Sequence, residues 1–87
     1  MTYALNSLSP NPFNPSTTIS FQLPVSGHVN VTIYDISGRL VETLVNGWRA
    51  AGDHQVIFEG QNLASGIYFV RLKAGNFAQA KKMVMLK

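Results

Sequence analysis

The chain is predicted to fold as an antiparallel β-sandwich of about seven short strands, and three observations predict it. Apolar and polar residues alternate with a period of two, as in Ile19, Phe21 and Leu23 against Ser20 and Gln22. Turns rich in Gly, Pro or Asn return at intervals of about ten residues. No segment sustains a 3.6-residue apolar period between helix caps. Antiparallel strands of this kind bury one face and wet the other. An open barrel of similar size is the alternative architecture.

The elements follow in order. Residues 2–15, a Pro/Asn-rich opening segment, hold three of the four prolines. Proline fixes φ and removes a donor, so Pro10-Asn11-Pro12-Phe13-Asn14-Pro15 cannot be an interior strand. It reads as a rigid turn after a short first strand near Tyr3 to Leu5, with Phe13 as its anchor in the core. Ile19 to Leu23 is a strand that Pro24 stops. Val29, Val31 and Ile33 form the apolar face of the next. Asp35-Ile36-Ser37-Gly38 is a turn, with Gly38 free to take a positive φ. Leu40 to Val45 is a strand, Asn46-Gly47 a turn pair, and Ala50-Ala51-Gly52 a further break. One helical turn at Leu40–Leu44 is disfavoured by its β-branched residues and flanking glycines. His54, Val56 and Phe58 share one face, and Tyr68, Val70 and Leu72 another. Ala74-Gly75-Asn76 connects a hairpin, and Phe77 leads into a terminal basic strand, residues 77–87.

Eighty-seven residues make one domain, residues 1–87, and a chain this short buries only about 60% of its unfolded surface. There are no cysteines, so packing alone stabilises it, without disulfides or a thiolate metal site. The net charge is +3, unevenly placed. Arg71, Lys73, Lys81, Lys82 and Lys87 meet no acidic residue between Arg71 and Lys87. Nucleic-acid binders carry a denser basic patch on a recognisable module, so nucleic acid is not an expected partner. No apolar run reaches the roughly 20 residues that a helix needs to cross a bilayer. A secretory signal is missing, and the opening reads as cut from inside a longer chain.

Catalytic and ligand constellations are absent from the pattern. His28 and His54 belong to no cluster of zinc-ligand spacing. His54 has apolar parity and is expected partly buried; His28, after Gly27, is expected exposed at a turn. Ser37, Asp53 and His54 carry no hydrolase motif, and the adjacent Asp53 and His54 point to opposite faces of a strand. Asp35, Glu42, Asp53 and Glu59 stand singly, so paired-carboxylate chemistry and helix–loop–helix calcium loops are excluded. A structural calcium ion on Asp35 and backbone carbonyls stays open. The glycines follow turn chemistry rather than a phosphate loop. Asn30-Val31-Thr32 matches a glycosylation triplet but lies inside a strand. Trp48 and Tyr34 are the candidates for a sugar platform, against the plainer expectation that Trp48 folds back as a lid on the core. No enzymatic activity, cofactor or metal is expected. The terminal basic strand is either a solvated edge whose lysines discourage aggregation or an edge that another protein reads by backbone pairing and charge.

Five stretches together resemble one family: Ser9-Pro10-Asn11-Pro12-Phe13-Asn14-Pro15-Ser16-Thr17-Thr18-Ile19, Val31-Thr32-Ile33-Tyr34-Asp35-Ile36-Ser37-Gly38-Arg39-Leu40-Val41, Ala51-Gly52-Asp53-His54, Leu63-Ala64-Ser65-Gly66-Ile67-Tyr68-Phe69-Val70-Arg71-Leu72 and Lys81-Lys82-Met83-Val84-Met85-Leu86-Lys87. The family is the C-terminal sorting domain of type IX (Por) secretion system substrates. The resemblance implies an immunoglobulin-like β-sandwich, without catalysis, appended to a larger secreted enzyme or adhesin. It implies passage across the outer membrane after periplasmic transit, with the parent released or left at the cell surface. The partners implied are outer-membrane secretion machinery and the N-terminal parent protein. By family pattern the sorting determinants are Ser65, Gly66, Ile67 and Tyr68, with Lys81, Lys82, Met83, Val84, Met85, Leu86 and Lys87. The architectural turns are Asn11, Pro12, Phe13, Asn14 and Pro15, together with Gly38 and Gly52. A related domain in flagellar hook-capping proteins shares the Asn-Pro-Phe-Asn-Pro opening and is an assembly module, the first alternative; a carbohydrate-binding module is the second. The ending at Lys87 suits a sorting module better. Asn46-Gly47-Trp48-Arg49 departs from the family pattern. Dimerisation through a sheet edge is a further expectation.

Overall fold

A computed structural model describes residues 2–12 and 15–86. The expected anchor Phe13, its neighbour Asn14, and Lys87 lie outside the described residues. Among the described residues seven strands follow one another: β1 (Ala4–Ser9), β2 (Ser16–Leu23), β3 (Gly27–Asp35), β4 (Leu40–Arg49), β5 (Gly52–Glu59), β6 (Gly66–Ala74) and β7 (Phe77–Met85). They form an antiparallel sheet in the order β1-β2-β5 and a second in the order β4-β3-β6-β7. The fold is the expected all-β, immunoglobulin-like sandwich. In immunoglobulin constant domains the fourth strand extends the first sheet. Here the short turn after Asp35 keeps β4 hairpinned to β3, in the second sheet.

The period-two alternation places the core. Ile19, Phe21 and Leu23 from β2, and Phe58 from β5, face Val29, Val31 and Ile33 of β3 and Val70 and Leu72 of β6. Each is at most 1% exposed, and burying a side chain of this size fully is worth about 1.5–3 kcal/mol. His54 is partly buried, stacked 5.3 Å from Phe21, with Nε2 2.7 Å from the Ala50 carbonyl. The turns expected at Gly38 and Gly52 have φ of 88° and 127°, a region that side chains with a Cβ resist. Gly75 and Asn76 close the β6–β7 hairpin; Gly75 alone has a positive φ, the pattern of a type II′ turn.

Four expectations need correction. The first strand runs from Ala4 to Ser9, beyond the expected Tyr3–Leu5, because pairing with β2 continues past a bulge between Leu5 and Ser7. Asn46-Gly47 is not a turn: Asn46 pairs with Asn30 and Gly47 with Val29 within the β3–β4 ladder, and Gly47 has no positive φ. Tertiary pairing overrides the local turn preference, and the reversal moves to Ala50–Ala51. Trp48 therefore sits in β4 opposite His28, 68% exposed, and is neither a loop residue nor a lid. His28 is exposed as expected, but in strand β3 rather than a turn.

Candidate functional site

β7 sorts its own residues by parity. Phe77, Gln79, Lys81, Met83 and Met85 point toward the opposite sheet, and Met83 and Met85 are fully buried. Ala78, Ala80, Lys82 and Val84 have the outward parity. The two adjacent lysines are thus separated. Lys81 is half-buried, and its ammonium donates to the Asn6 carbonyl at 2.7 Å. Asn6 is the extra residue of the β1 bulge, so its carbonyl is spared for that contact. Next to it, the Gln79 Oε1 accepts from the Leu5 N–H at 3.1 Å. Lys82 is exposed on the outer face.

The opening segment finishes the lacing of this edge. The Asn11 Nδ2 donates to the Lys82 carbonyl at 3.2 Å, and its Oδ1 accepts from the Val84 N–H at 3.0 Å. Pro15 reaches the same region: its carbonyl accepts from the Gly60 N–H at 2.9 Å. Gly60 is buried, and a Cβ there would lie 2.4 Å from the Met85 Sδ. Thr17, the buried hydroxyl of β2, donates to the Pro10 carbonyl at 2.7 Å.

Ser65, Gly66, Ile67 and Tyr68 adjoin this strand. Gly66 pairs with Met85, Ile67 with Val84 and Tyr68 with Met83. Tyr68 is 7% exposed, and its hydroxyl donates to the Ala64 carbonyl at 2.6 Å. That is the tyrosine corner of immunoglobulin-like sandwiches, a Tyr early in the sixth strand bonded to backbone just upstream. A groove of about 280 Å³ separates Ser65–Tyr68 from the turn at Asp35–Arg39. In that turn the Asp35 Oδ1 accepts from the Ser37 N–H (2.9 Å), the Ser37 hydroxyl (2.6 Å) and the Arg39 N–H (3.0 Å), and Oδ2 pairs with the Arg39 Nε at 3.2 Å. The Ser37 hydroxyl foremost, then the Arg39 amide, lowers the Asp35 carboxyl to a pKa of about 2. The carboxylate is committed to its own turn rather than directed at a calcium ion. Among the described residues no three His, Asp or Glu side chains gather as a metal site.

Arg71 and Lys73 of β6 lie with Lys82 on the outer face, where Lys82 stands opposite Phe69. Tyr34 joins them: a hydrogen bond with Thr32, and next Arg71, lowers its hydroxyl below the ordinary tyrosine range. Trp48 and Tyr34 make no common platform, since His28 and Tyr34, their register marks on β3, are six residues apart, about 20 Å of strand.

Gln79, Asn6 and Gly60 escaped the reading of the sequence. A signal for Gln79 was present: with Lys81 it is a polar residue in the apolar register of Phe77, Met83 and Met85. Gly60, inside Glu59-Gly60-Gln61-Asn62, carried none beyond loop composition.

A family model described as secretion system C-terminal sorting domain matches residues 7–86. No curated protein matches the chain. Domains of that family are non-catalytic sorting tails. The match spans β2 to β7 and the second half of β1, and the chain belongs to the family of secretion system C-terminal sorting domains.

Proposed function

We propose that the domain hands a larger parent protein to the outer-membrane machinery of the type IX system, and that the end of the sandwich carrying Ser65–Ile67, Lys82, Val84 and Leu86 is what that machinery contacts. One observation carries the reading: the two segments expected to hold the signal, separate in sequence, meet in register, with Gly66, Ile67 and Tyr68 of β6 paired to Met85, Val84 and Met83 of β7. Their side chains divide into two roles. Met83, Met85 and Tyr68 are buried and keep the fold, whereas Lys82 and Leu86 are exposed and available. Thr2 and Tyr3 lie at the other end, where Tyr3 stacks 5.3 Å from Phe77 and meets Gly75. A parent joined before residue 2 would sit about 27–30 Å from the contact end, the length of β6. The route implied is periplasmic transit followed by release or display at the cell surface.

The test is fractionation of a reporter that carries a periplasmic signal peptide and residues 2–87, in a bacterium with this system. Deleting the end of β7 would remove Met83 and Met85 from the core, so the informative variant is Lys82→Glu combined with Leu86→Asp. The parent fusion is expected outside the cell or on its surface, and the double variant folded but periplasmic. Retention of the parent fusion in the periplasm overturns the reading.

A further inference from the structure

We propose that the outer edge of β7 between Lys82 and Val84 is a strand-addition site for an extended segment of the secretion machinery, and that Asn11 holds this edge shut until the segment displaces it. The proposal rests on the sorting role above and deepens it.

Among the described residues β7 has a strand neighbour on one side only, β6. On the other side the Lys82 carbonyl and the Val84 N–H face outward, and both are taken by the Asn11 amide. An added strand satisfies such a carbonyl and N–H, two residues apart, with the N–H and C=O of its own backbone. The Asn side chain offers the same donor and acceptor in one planar group. It imitates a single residue of a partner strand. The imitation cannot lengthen, because Pro10 and Pro12 on either side of Asn11 have no N–H to donate. The cover is therefore one amide wide and carried by an exposed residue. A strand that replaces it keeps both bonds and adds more along Ala78 and Ala80. Charge selects the occupant: Lys82 is exposed at this edge and in no ion pair among the described residues, and Arg71 and Lys73 share its face. The segment that fits is extended and carries an acidic side chain beside Lys82.

Val84→Pro removes the outward N–H, a change tolerated at strand edges, while the groups that pair with β6 lie on the other side. Val84→Ala controls for the side chain, and Asn11→Ala lifts the cover. In the reporter fusion, Asn11→Ala is expected to be exported at least as fast as the parent fusion, and Val84→Pro at least tenfold more slowly than Val84→Ala while folded by circular dichroism. Export of Val84→Pro at the rate of Val84→Ala overturns the proposal, as does an equal loss in folded Asn11→Ala. A photoreactive side chain at Ala80, on the same edge, serves if Val84→Pro does not fold. Cross-linking to an outer-membrane protein should rise about threefold with Asn11→Ala, and an unchanged or lower yield overturns the proposal. Retention of the unaltered fusion is a separate result, which fails the sorting reading itself.

Discussion

The four-stranded sheet has two edges, β4 and β7, and they are protected by opposite means. β4 slips register against β3 twice, between Val31 and Thr32 and between Ile33 and Tyr34, and leaves Leu40 and Trp48 more than half exposed. An edge this irregular is a poor template for another strand. β7 keeps an unbroken register with β6 from Phe77 to Met85 and ends in two fully buried methionines. A regular edge is a good template, and here it is covered: by Asn11 along its backbone, and by Gln79 and Lys81 reaching across to β1. Irregularity thus protects one edge, whereas a side-chain cover protects the edge that stays regular. The covered edge is the strand on which the proposed sorting residues lie.

Side-chain truncation sharpens the contrast most. Met83→Ala empties a fully buried site in β7 and is expected to cost about 2–5 kcal/mol, whereas Leu40→Ala on exposed β4 should stay within about 0.5 kcal/mol. Urea unfolding of both variants measures the difference, and equal losses would erase the distinction between the edges. Gly60→Ala comes next. Its Cβ would meet the Met85 Sδ at 2.4 Å and the Pro15 carbonyl at 3.2 Å, so the last turn of the core must shift, at about 1–3 kcal/mol for overpacking. Gly47→Ala on β4, whose nearest contact is the Arg49 guanidinium at 3.6 Å, should cost clearly less in the same assay.

The same contrast explains what the sequence made legible. Strands β2, β3 and β6 lie inside their sheets, so each inward position is apolar and the alternation of Ile19-Phe21-Leu23, Val29-Val31-Ile33 and Tyr68-Val70-Leu72 reads without ambiguity. Edge strands escape that demand. The sequence predicts that β4 ends at Val45, because Asn46-Gly47 has strong turn chemistry and nothing local shows that β3 continues opposite it. The sequence predicts a short β1 for a related reason, since a bulge at Asn6 breaks the alternation that pairing with β2 survives. The site was legible as two segments but not as two kinds of residue. Lys81 and Lys82 look alike in sequence, and only the bulged Asn6 carbonyl across the seam makes one a lace and leaves the other outward. The bond between Asn11 and the strand at Lys82–Val84 spans more than 70 residues, a distance over which no pattern of local propensity speaks.

Removing the cover is a milder break than removing core. Asn11→Ala loses two hydrogen bonds at the surface, about 1–2 kcal/mol in all. Hydrogen exchange localises the effect: the Val84 amide should exchange faster while amides in the centre of β3 keep their protection. Uniform acceleration across the domain would show that Asn11 holds the fold as a whole rather than one edge.

The smallest effect belongs to the turn that begins β4. The Asp35 carboxyl, ordinarily near 3.8, is held at about 2 by the Ser37 hydroxyl and the Arg39 amide. A group whose pKa falls on folding stabilises the fold when ionised. Its contribution is thus fully present above about pH 4 and disappears as the pH drops through 2. Asp35→Asn keeps one carbonyl acceptor for the turn but removes the charge. The thermal midpoint of the unaltered chain should therefore exceed that of Asp35→Asn by a constant amount from pH 7 to 5, and the gap should close between pH 4 and 2. Because the carboxylate is at the surface, 150 mM salt should narrow the gap at neutral pH. A gap that persists unchanged at pH 2 would mean that the turn depends on the shape of residue 35 and not on its charge. The start of β4 would then rest on backbone geometry at Gly38, with the Asp35–Arg39 ion pair incidental to it.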